Sequence, residues 1–164
     1  MIGNDVVDLI LAKTESNWKR KGYLDKLFTT LEQNWIHTAP DPDEMVWILW
    51  SIKESVYKAY QRIHYQQGFY PIKIKVSSLV LEHGEYQSVI KLFNLSFYGR
   101  SFINEKIIHT VAVQDKNDFE KIIILDRISY LKNENRLPIE ASSGKPISVS
   151  HHGRAKVIVS FRLD

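Results

Sequence analysis

Residues 50–58 read WSIKESVYK, and this stretch decides the fold because its charged and apolar residues fall on opposite faces of a helix. At about 100° per residue, Glu54 and Lys58 meet one turn apart, on the side that Trp47 and Trp50 share. A carboxylate and an ammonium that project the same way suit a site for a metal ion and a phosphate. A surface ion pair is the simpler interpretation of Glu54 and Lys58, so the choice between the two interpretations depends on other segments of the chain. The apolar face comprises Met45, Ile48, Leu49, Ile52, Val56, Ala59, Tyr60 and Ile63.

The amino-terminal segment MIGNDVVDL predicts a strand over residues 2–9. Period-2 alternation places Asp5 on the face opposite Val6 and Asp8. Gly3 leaves room for a bend or for the close approach of another backbone. Taken alone, the segment also fits a buried first strand with acids at its frayed end.

A turn leads into a β-rich run near the carboxyl end, where residues 144–161 read GKPISVSHHGRAKVIVSF. The run contains four donors suited to phosphate: Lys145, Ser150, His151 and Arg154. A metal hydrolase that uses His151 and His152 is an alternative. Adjacent residues of a strand point to opposite faces, however, so this pair is a poor metal site.

Together, and in this order, the three segments resemble the 4'-phosphopantetheinyl transferase superfamily. Residues 3–5 resemble its G-x-D strand, and residues 50–58 resemble its helix signature W-x-x-K-E-(S/A)-x-x-K. Residues 150–153 resemble its S-H-x-G strand start. Two smaller features agree: residues 28–32 read FTTLE, like F-(S/T)-x-x-E, and residues 144–146 read GKP. Three independent matches make coincidence a poor explanation.

The chain departs from the family pattern at several positions. Val7 stands where the larger, two-half members have a glutamate, and Asp8 takes the acidic place of the small holo-acyl-carrier-protein synthases. The order of motifs also matches the small type, although 164 residues exceed what that type usually needs. The glycine-rich turn that commonly follows the signature helix is replaced by residues 61–68. We therefore expect a metal site of two carboxylates, Asp5 and Glu54.

The resemblance implies an α+β fold made of a single half of the two-half type, with an antiparallel sheet packed against a long signature helix. We expect one domain over residues 1–164. The implied reaction transfers the 4'-phosphopantetheine arm of coenzyme A to a serine of an apo acyl- or peptidyl-carrier protein and depends on magnesium. Fatty-acid, polyketide and peptide-synthetase carriers all stay open. A catalytically silent member that binds coenzyme A or a carrier protein is the alternative.

The site residues follow from the same resemblance. Magnesium takes one or two carboxylates plus substrate phosphates, which Asp5 and Glu54 would supply. Glu54 is also a candidate general base, and Lys58 would neutralise charge on the phosphate oxygens. Lys145, Ser150, His151 and Arg154 would bind coenzyme A. Lys53 has two equal interpretations, a snorkelling structural lysine or a phosphate ligand.

Composition bounds the class of protein. With 44% apolar residues and 164 positions, the chain can bury one substantial core. It has no cysteine, which excludes disulfides and thiolate catalysis. There is no secretory signal and no run of about 18 apolar residues, so we expect a cytoplasmic location and no membrane partner. The formal charge of +3 suits an anionic partner.

The partners expected are coenzyme A and an acidic carrier protein. The basic residues are scattered and no nucleic-acid-binding motif is recognised, so we expect no nucleic-acid partner. The strand over residues 150–161 must either lie beside its own strand 2–9 or complete the site of a neighbouring subunit. Because a single half leaves a sheet edge uncovered, we expect a homo-oligomer, a trimer more than a dimer.

Patterning also predicts the elements. The helices expected span 14–27, 30–37 and 42–65, the last one capped by Asp41. The strands expected after them span 72–81, 86–93, 95–103 and 106–113 as an antiparallel meander. Residues 118–131 are ambiguous between helix and strand, and residues 133–144 read as a polar loop.

Overall fold

The computed structural model describes residues 1–65 and 68–162. Its α-helices are α1 (Leu9–Glu15), α2 (Tyr23–Leu27), α3 (Thr30–Thr38) and α4 (Pro42–Gln61). The first five strands are β1 (Ile2–Asp8), β2 (Lys75–Glu82), β3 (Glu85–Leu92), β4 (Leu95–Asn104) and β5 (Ile107–Val113). The others are β6 (Ile122–Ile124), β7 (Tyr130–Lys132), β8 (Pro138–Glu140), β9 (Ser148–His152) and β10 (Ala155–Phe161). Two 3-10 turns occupy Pro71–Lys73 and Lys116–Lys121.

Five strands form an antiparallel sheet in the order β1-β5-β4-β3-β2. The hairpins β2-β3, β3-β4 and β4-β5 form the predicted meander, and β1 joins its far edge through pairs such as Asp5 with Thr110. A second antiparallel sheet has the order β6-β10-β9. The predicted α+β class with an antiparallel sheet and a long helix is confirmed.

Helix α4 packs across the large sheet and closes the main core. It begins as predicted, with the Asp41 side chain accepting a hydrogen bond from the Glu44 amide and Pro42 at the first helical position. Its buried stripe includes Ile48, Leu49, Ile52, Val56 and Ala59, none of which is exposed to solvent. Burial of this stripe against the sheet is the main source of helix stability, as is usual for amphipathic helices.

Two predicted helix boundaries were wrong. The expected helix over residues 14–27 is not continuous. Helix α1 begins earlier, at Leu9, because Asp8 caps it by accepting from the Ile10 amide, and it already ends at Glu15. Gly22, with a φ of 77°, then starts α2 separately. Helix α4 ends at Gln61, short of residue 65, and the predicted core residue Ile63 is exposed as a result.

The carboxyl-terminal third is more strand-rich than predicted. The ambiguous segment 118–131 contributes part of a 3-10 turn, then β6 and the start of β7, and the expected loop 133–144 contains β8. The expected strand 150–161 is a hairpin, β9 and β10, that turns at residues 153–154. No helix in the described ranges is long and apolar enough to span a membrane.

Candidate active site

Gly3 sets the distance between β1 and the signature helix α4. A Cβ atom at this position would lie 2.1 Å from the carbonyl oxygen of Ser55 and 2.5 Å from the amide nitrogen of Ala59. Both are backbone atoms of the helix, so they cannot swing away. The glycine of the G-x-D motif therefore lets the strand touch the helix, which brings Asp5 within reach of the charged residues of α4.

Asp5 is held from both sides through one of its two carboxylate oxygens. Its Oδ1 atom accepts from Nζ of Lys58 at 3.1 Å and from Oγ of Ser150 at 3.0 Å. The same ammonium donates to the carbonyl oxygen of Asn4 at 2.9 Å. No described residue donates a hydrogen bond to Oδ2 of Asp5. Because Asp5 lines an open cleft, that oxygen is left for a ligand.

Glu54 lines the same cleft, and its carboxylate receives no hydrogen bond from the residues that the structure describes. Burial raises the pKa of Glu54 from the usual 4.5 to about 7, with a further increase from Asp5 and a partial offset from Lys58. A cation between the two carboxylates would relieve both the burial penalty and the repulsion. The unbalanced pair thus has the character of a metal site.

The donor set suits a hard cation that keeps other ligands. Within residues 1–65 and 68–162, no group of three or more His, Asp or Glu side chains is arranged to hold a metal ion. Magnesium commonly takes only one or two carboxylates and completes its shell with water and substrate phosphates. Asp5 and Glu54 fit that pattern, so these are the two residues that would hold the ion.

The cleft has a volume of about 400 Å³ and combines acidic, aromatic and histidine side chains. Trp47, Trp50 and Tyr23 line it together with the two carboxylates. His151 is exposed and lines it as well. The remaining lining residues are Val6, Val7, Ala12, Glu15, Ser16 and His152. The cleft therefore offers an apolar wall and a histidine donor beside the two carboxylates.

The hairpin β9-β10 folds back beside its own β1, the first of the two alternatives considered for this strand. Between β1 and β9, hydrogen bonds from backbone amides to side chains take the place of the backbone–backbone hydrogen bonds of a sheet. The amides of Asn4, Val6 and Asp8 donate to Oγ of Ser148 at 2.8 Å, Oγ of Ser150 at 2.9 Å and Nδ1 of His152 at 2.9 Å, respectively. The three acceptors alternate along β9 and face β1, which leaves His151 on the other side of the strand.

Arg154 binds Asp8 and does not line the cleft. Its guanidinium donates from Nε to Oδ2 of Asp8 at 2.8 Å and from a terminal nitrogen to Oδ1 at 3.1 Å, and it also donates to the Glu105 carbonyl. This pairing holds the pKa of the Asp8 carboxyl well below its usual range. A Cβ atom at Gly153 would lie 2.6 Å from Oδ2 of Asp8. Gly153 therefore makes room for the ion pair between Asp8 and Arg154. This pair gives the Asp8 carboxylate a structural role.

Lys145 and Lys53 also lie outside the cleft. The ammonium of Lys145 donates to the carbonyl oxygen of Phe161. Lys53 is fully buried, where Nζ lies 2.8 Å from a carboxylate oxygen of Glu32 and donates to the carbonyls of Pro71 and Ile74. The buried position of Lys53 therefore fits the structural interpretation of this residue.

The structure thus brings together five of the predicted site residues. Asp5, Glu54 and His151 line one cleft, while Lys58 and Ser150 bind Asp5. It does not bring Lys145 or Arg154 there. Sequence reasoning also missed the edge-capping roles of Ser148 and His152. The signal for them was the polar alternation at positions 148, 150 and 152.

The comparisons with known proteins agree with this geometry. Residues 1–110 match the family described as the 4'-phosphopantetheinyl transferase superfamily. The matched range covers more than half of the 164 residues and includes both the G-x-D strand and the signature helix, whereas the hairpin β9-β10 lies beyond it. No curated protein matches the chain. The family resemblance seen in the sequence is confirmed, and the chain belongs to the 4'-phosphopantetheinyl transferase superfamily.

Proposed function

We propose that this chain transfers the 4'-phosphopantetheine arm of coenzyme A to the serine hydroxyl of an apo acyl- or peptidyl-carrier protein in a magnesium-dependent reaction. The observation that carries the proposal is the pair of carboxylates, Asp5 and Glu54, at one cleft with a raised pKa at Glu54. A silent binding module would have no need to keep two such carboxylates together at an energetic cost.

In the proposed reaction the carrier serine oxygen forms a bond to the phosphorus that bears the pantetheine arm. The bond from that phosphorus to the bridging oxygen breaks, and adenosine 3',5'-bisphosphate leaves with the electron pair. Bound magnesium would supply charge neutralisation at the phosphate oxygens, which dominates catalysis at phosphorus. Positioning of the two reactants supplies the other large contribution.

The residues of the chain have separate parts in this scheme. Asp5 and Glu54 would hold the ion, and Glu54 takes up the proton that the serine loses. Lys58 holds the Asp5 carboxylate in place, since its ammonium bonds both to Oδ1 and to the Asn4 carbonyl, and it neutralises charge on the phosphate oxygens. His151 donates to a phosphate of coenzyme A from the exposed side of the cleft. Trp47 and Trp50 exclude water from one wall.

The carrier and the assembly belong to the same proposal. An acidic carrier would meet a basic chain whose exposed Lys19, Arg20 and Lys21 lie in the connection between α1 and α2. We propose the cytoplasm as the compartment. We also propose that the chain forms a homo-oligomer, with a trimer favoured, and light scattering would test this oligomeric state. Incubation with coenzyme A, magnesium and apo-carrier proteins, read by intact mass, tests the reaction itself.

A further inference from the structure

The hydroxyl of Ser150 has a fixed hydrogen-bond direction. The Val6 amide can only donate, so Oγ of Ser150 accepts from it at 2.9 Å. A serine hydroxyl carries one proton, and that proton is directed at Oδ1 of Asp5, 3.0 Å away. Ser150 is 5% exposed, so water does not compete for these two bonds. The hydroxyl of Ser150 thus makes both its donor and its acceptor hydrogen bond with β1, the strand that carries Asp5.

The two oxygens of the Asp5 carboxylate are therefore not equivalent. Oδ1 accepts from Ser150 and also from Nζ of Lys58 at 3.1 Å. Two donors at one oxygen fix the orientation of the carboxylate plane and reduce the charge available at that atom. Oδ2 has no donor within the described ranges, so it keeps its lone pairs for a cation.

We propose that Ser150 is a positioning residue that holds the Asp5 carboxylate so that Oδ2 alone binds the divalent cation, and that its hydroxyl does not contact coenzyme A. This inference rests on the proposed function because it concerns the same cation. Magnesium demands near-ideal octahedral geometry, so a carboxylate fixed in one orientation binds it better than a rotating one. Loss of such an outer hydrogen-bond partner typically weakens metal affinity about 10- to 100-fold.

Ser148 provides a matched control one rung along the same edge. Its hydroxyl is also buried and also accepts a β1 amide, that of Asn4 at 2.8 Å. Within residues 1–65 and 68–162, no carboxylate is hydrogen-bonded to Ser148. Ser148→Ala and Ser150→Ala therefore remove the same chemical group from the same strand, and each leaves one β1 amide without its acceptor. Only Ser150→Ala removes a donor to Asp5.

The experiment measures Mn²⁺ binding to the full chain by electron paramagnetic resonance, with and without coenzyme A, for wild type and both variants. We expect Ser150→Ala to weaken Mn²⁺ binding about 10- to 100-fold and to raise KM for magnesium by a similar factor. Ser148→Ala should bind Mn²⁺ within about twofold of wild type. Thermal unfolding of the two variants, expected to be similar, measures the shared structural loss.

Equal Mn²⁺ affinity in the two variants, with binding intact in wild type, would overturn the role of Ser150 and leave the proposed reaction standing. A Ser150→Ala variant that bound Mn²⁺ normally but lost coenzyme A affinity would also overturn it, in favour of a direct phosphate contact. Absence of Mn²⁺ binding in wild type, with coenzyme A present, would remove the metal site and this inference together.

Discussion

The ammonium of Lys58 lies 3.1 Å from Oδ1 of Asp5, and this bond joins the signature helix to the amino-terminal strand at the centre of the site. Lys58 thus links α4 to β1 through a charged hydrogen bond. The close packing at Gly3 makes this bond possible because it brings the strand into contact with the helix. The first two motifs of the pattern therefore meet in one contact.

Lys58→Ala should lower kcat for carrier modification by about 100-fold, the usual cost of removing one charge-stabilising donor from an active site. Without the ammonium, Oδ1 of Asp5 retains only the Ser150 hydroxyl. Steady-state rates at saturating magnesium measure the effect. Lys156→Ala, an exposed lysine on β10, is the control and should keep the wild-type rate. Wild-type kcat in Lys58→Ala would refute the assignment.

Glu54→Gln should stabilise the metal-free protein at pH 8. The pKa of Glu54 is raised from 4.5 to about 7, so between these values the folded state binds more protons than the unfolded state. Stability therefore falls as pH rises through this window, and glutamine removes the loss. We expect a gain of about 1–3 kcal/mol at pH 8 in chelator, which urea unfolding measures.

The same variant should show no gain near pH 4.5, where the Glu54 carboxyl is protonated in the folded protein. Glu120→Gln, at an exposed position, is the control for the loss of one charge. A Glu54→Gln variant less stable than wild type at pH 8 would mean that the carboxylate has partners that the structure does not show.

Lys53→Met should destabilise the fold by about 3–5 kcal/mol, since it leaves the carboxylate of Glu32 buried without its cation. The buried pair joins α4 to α3, and Glu32 also accepts from the Val76 amide at 2.8 Å. Adding Glu32→Gln should restore part of the loss because the remaining group is neutral. Urea unfolding of the single and double variants gives the coupling between the two residues.

Coenzyme A affinity separates the two interpretations of Lys53. A structural lysine predicts wild-type affinity for the folded fraction of Lys53→Met, measured at low temperature by calorimetry. Weak coenzyme A binding by a variant of near-normal stability would instead support a phosphate ligand.

His151→Ala should weaken coenzyme A binding about 10- to 100-fold without changing the unfolding midpoint, as expected for loss of a hydrogen bond to a charged phosphate. His152→Ala is the matched neighbour. The His152 ring accepts from the Asp8 amide and lies 3.2 Å from Glu15, so its loss should lower stability more than affinity. Calorimetric titration and thermal unfolding of both variants make the comparison. Unchanged affinity in His151→Ala would contradict its assignment.

The sequence predicted what local pattern determines. Helix α4 follows from its apolar stripe and its Asp41-Pro42 start, and the meander follows from alternation and turns. Asp5, Glu54 and His151 could be grouped because family motifs carry them. The early start of α1 was missed because Asp8 was assigned to the first strand, whereas its side chain caps α1 and also binds Arg154 near the other end of the chain.

Three of the residues predicted to bind coenzyme A, Lys145, Ser150 and Arg154, have hydrogen-bond partners within the chain. Donor-rich side chains read as phosphate ligands when their partners are unknown, and here the partners come from distant segments. Arg154 pairs with Asp8, Lys145 with the Phe161 carbonyl, and Ser150 with β1. Only tertiary structure shows these partners.

The most direct test of the account is intact mass of an apo-carrier panel after incubation with the wild-type chain, coenzyme A and magnesium. We predict a mass increase of one phosphopantetheine on at least one carrier, abolished by chelator, by Asp5→Asn and by Glu54→Gln. The Glu54→Gln arm is decisive, because that variant should be at least as stable as wild type at pH 8. Carrier modification at the wild-type rate by folded Glu54→Gln, or no modification of any carrier by the wild-type chain, would contradict the proposed function.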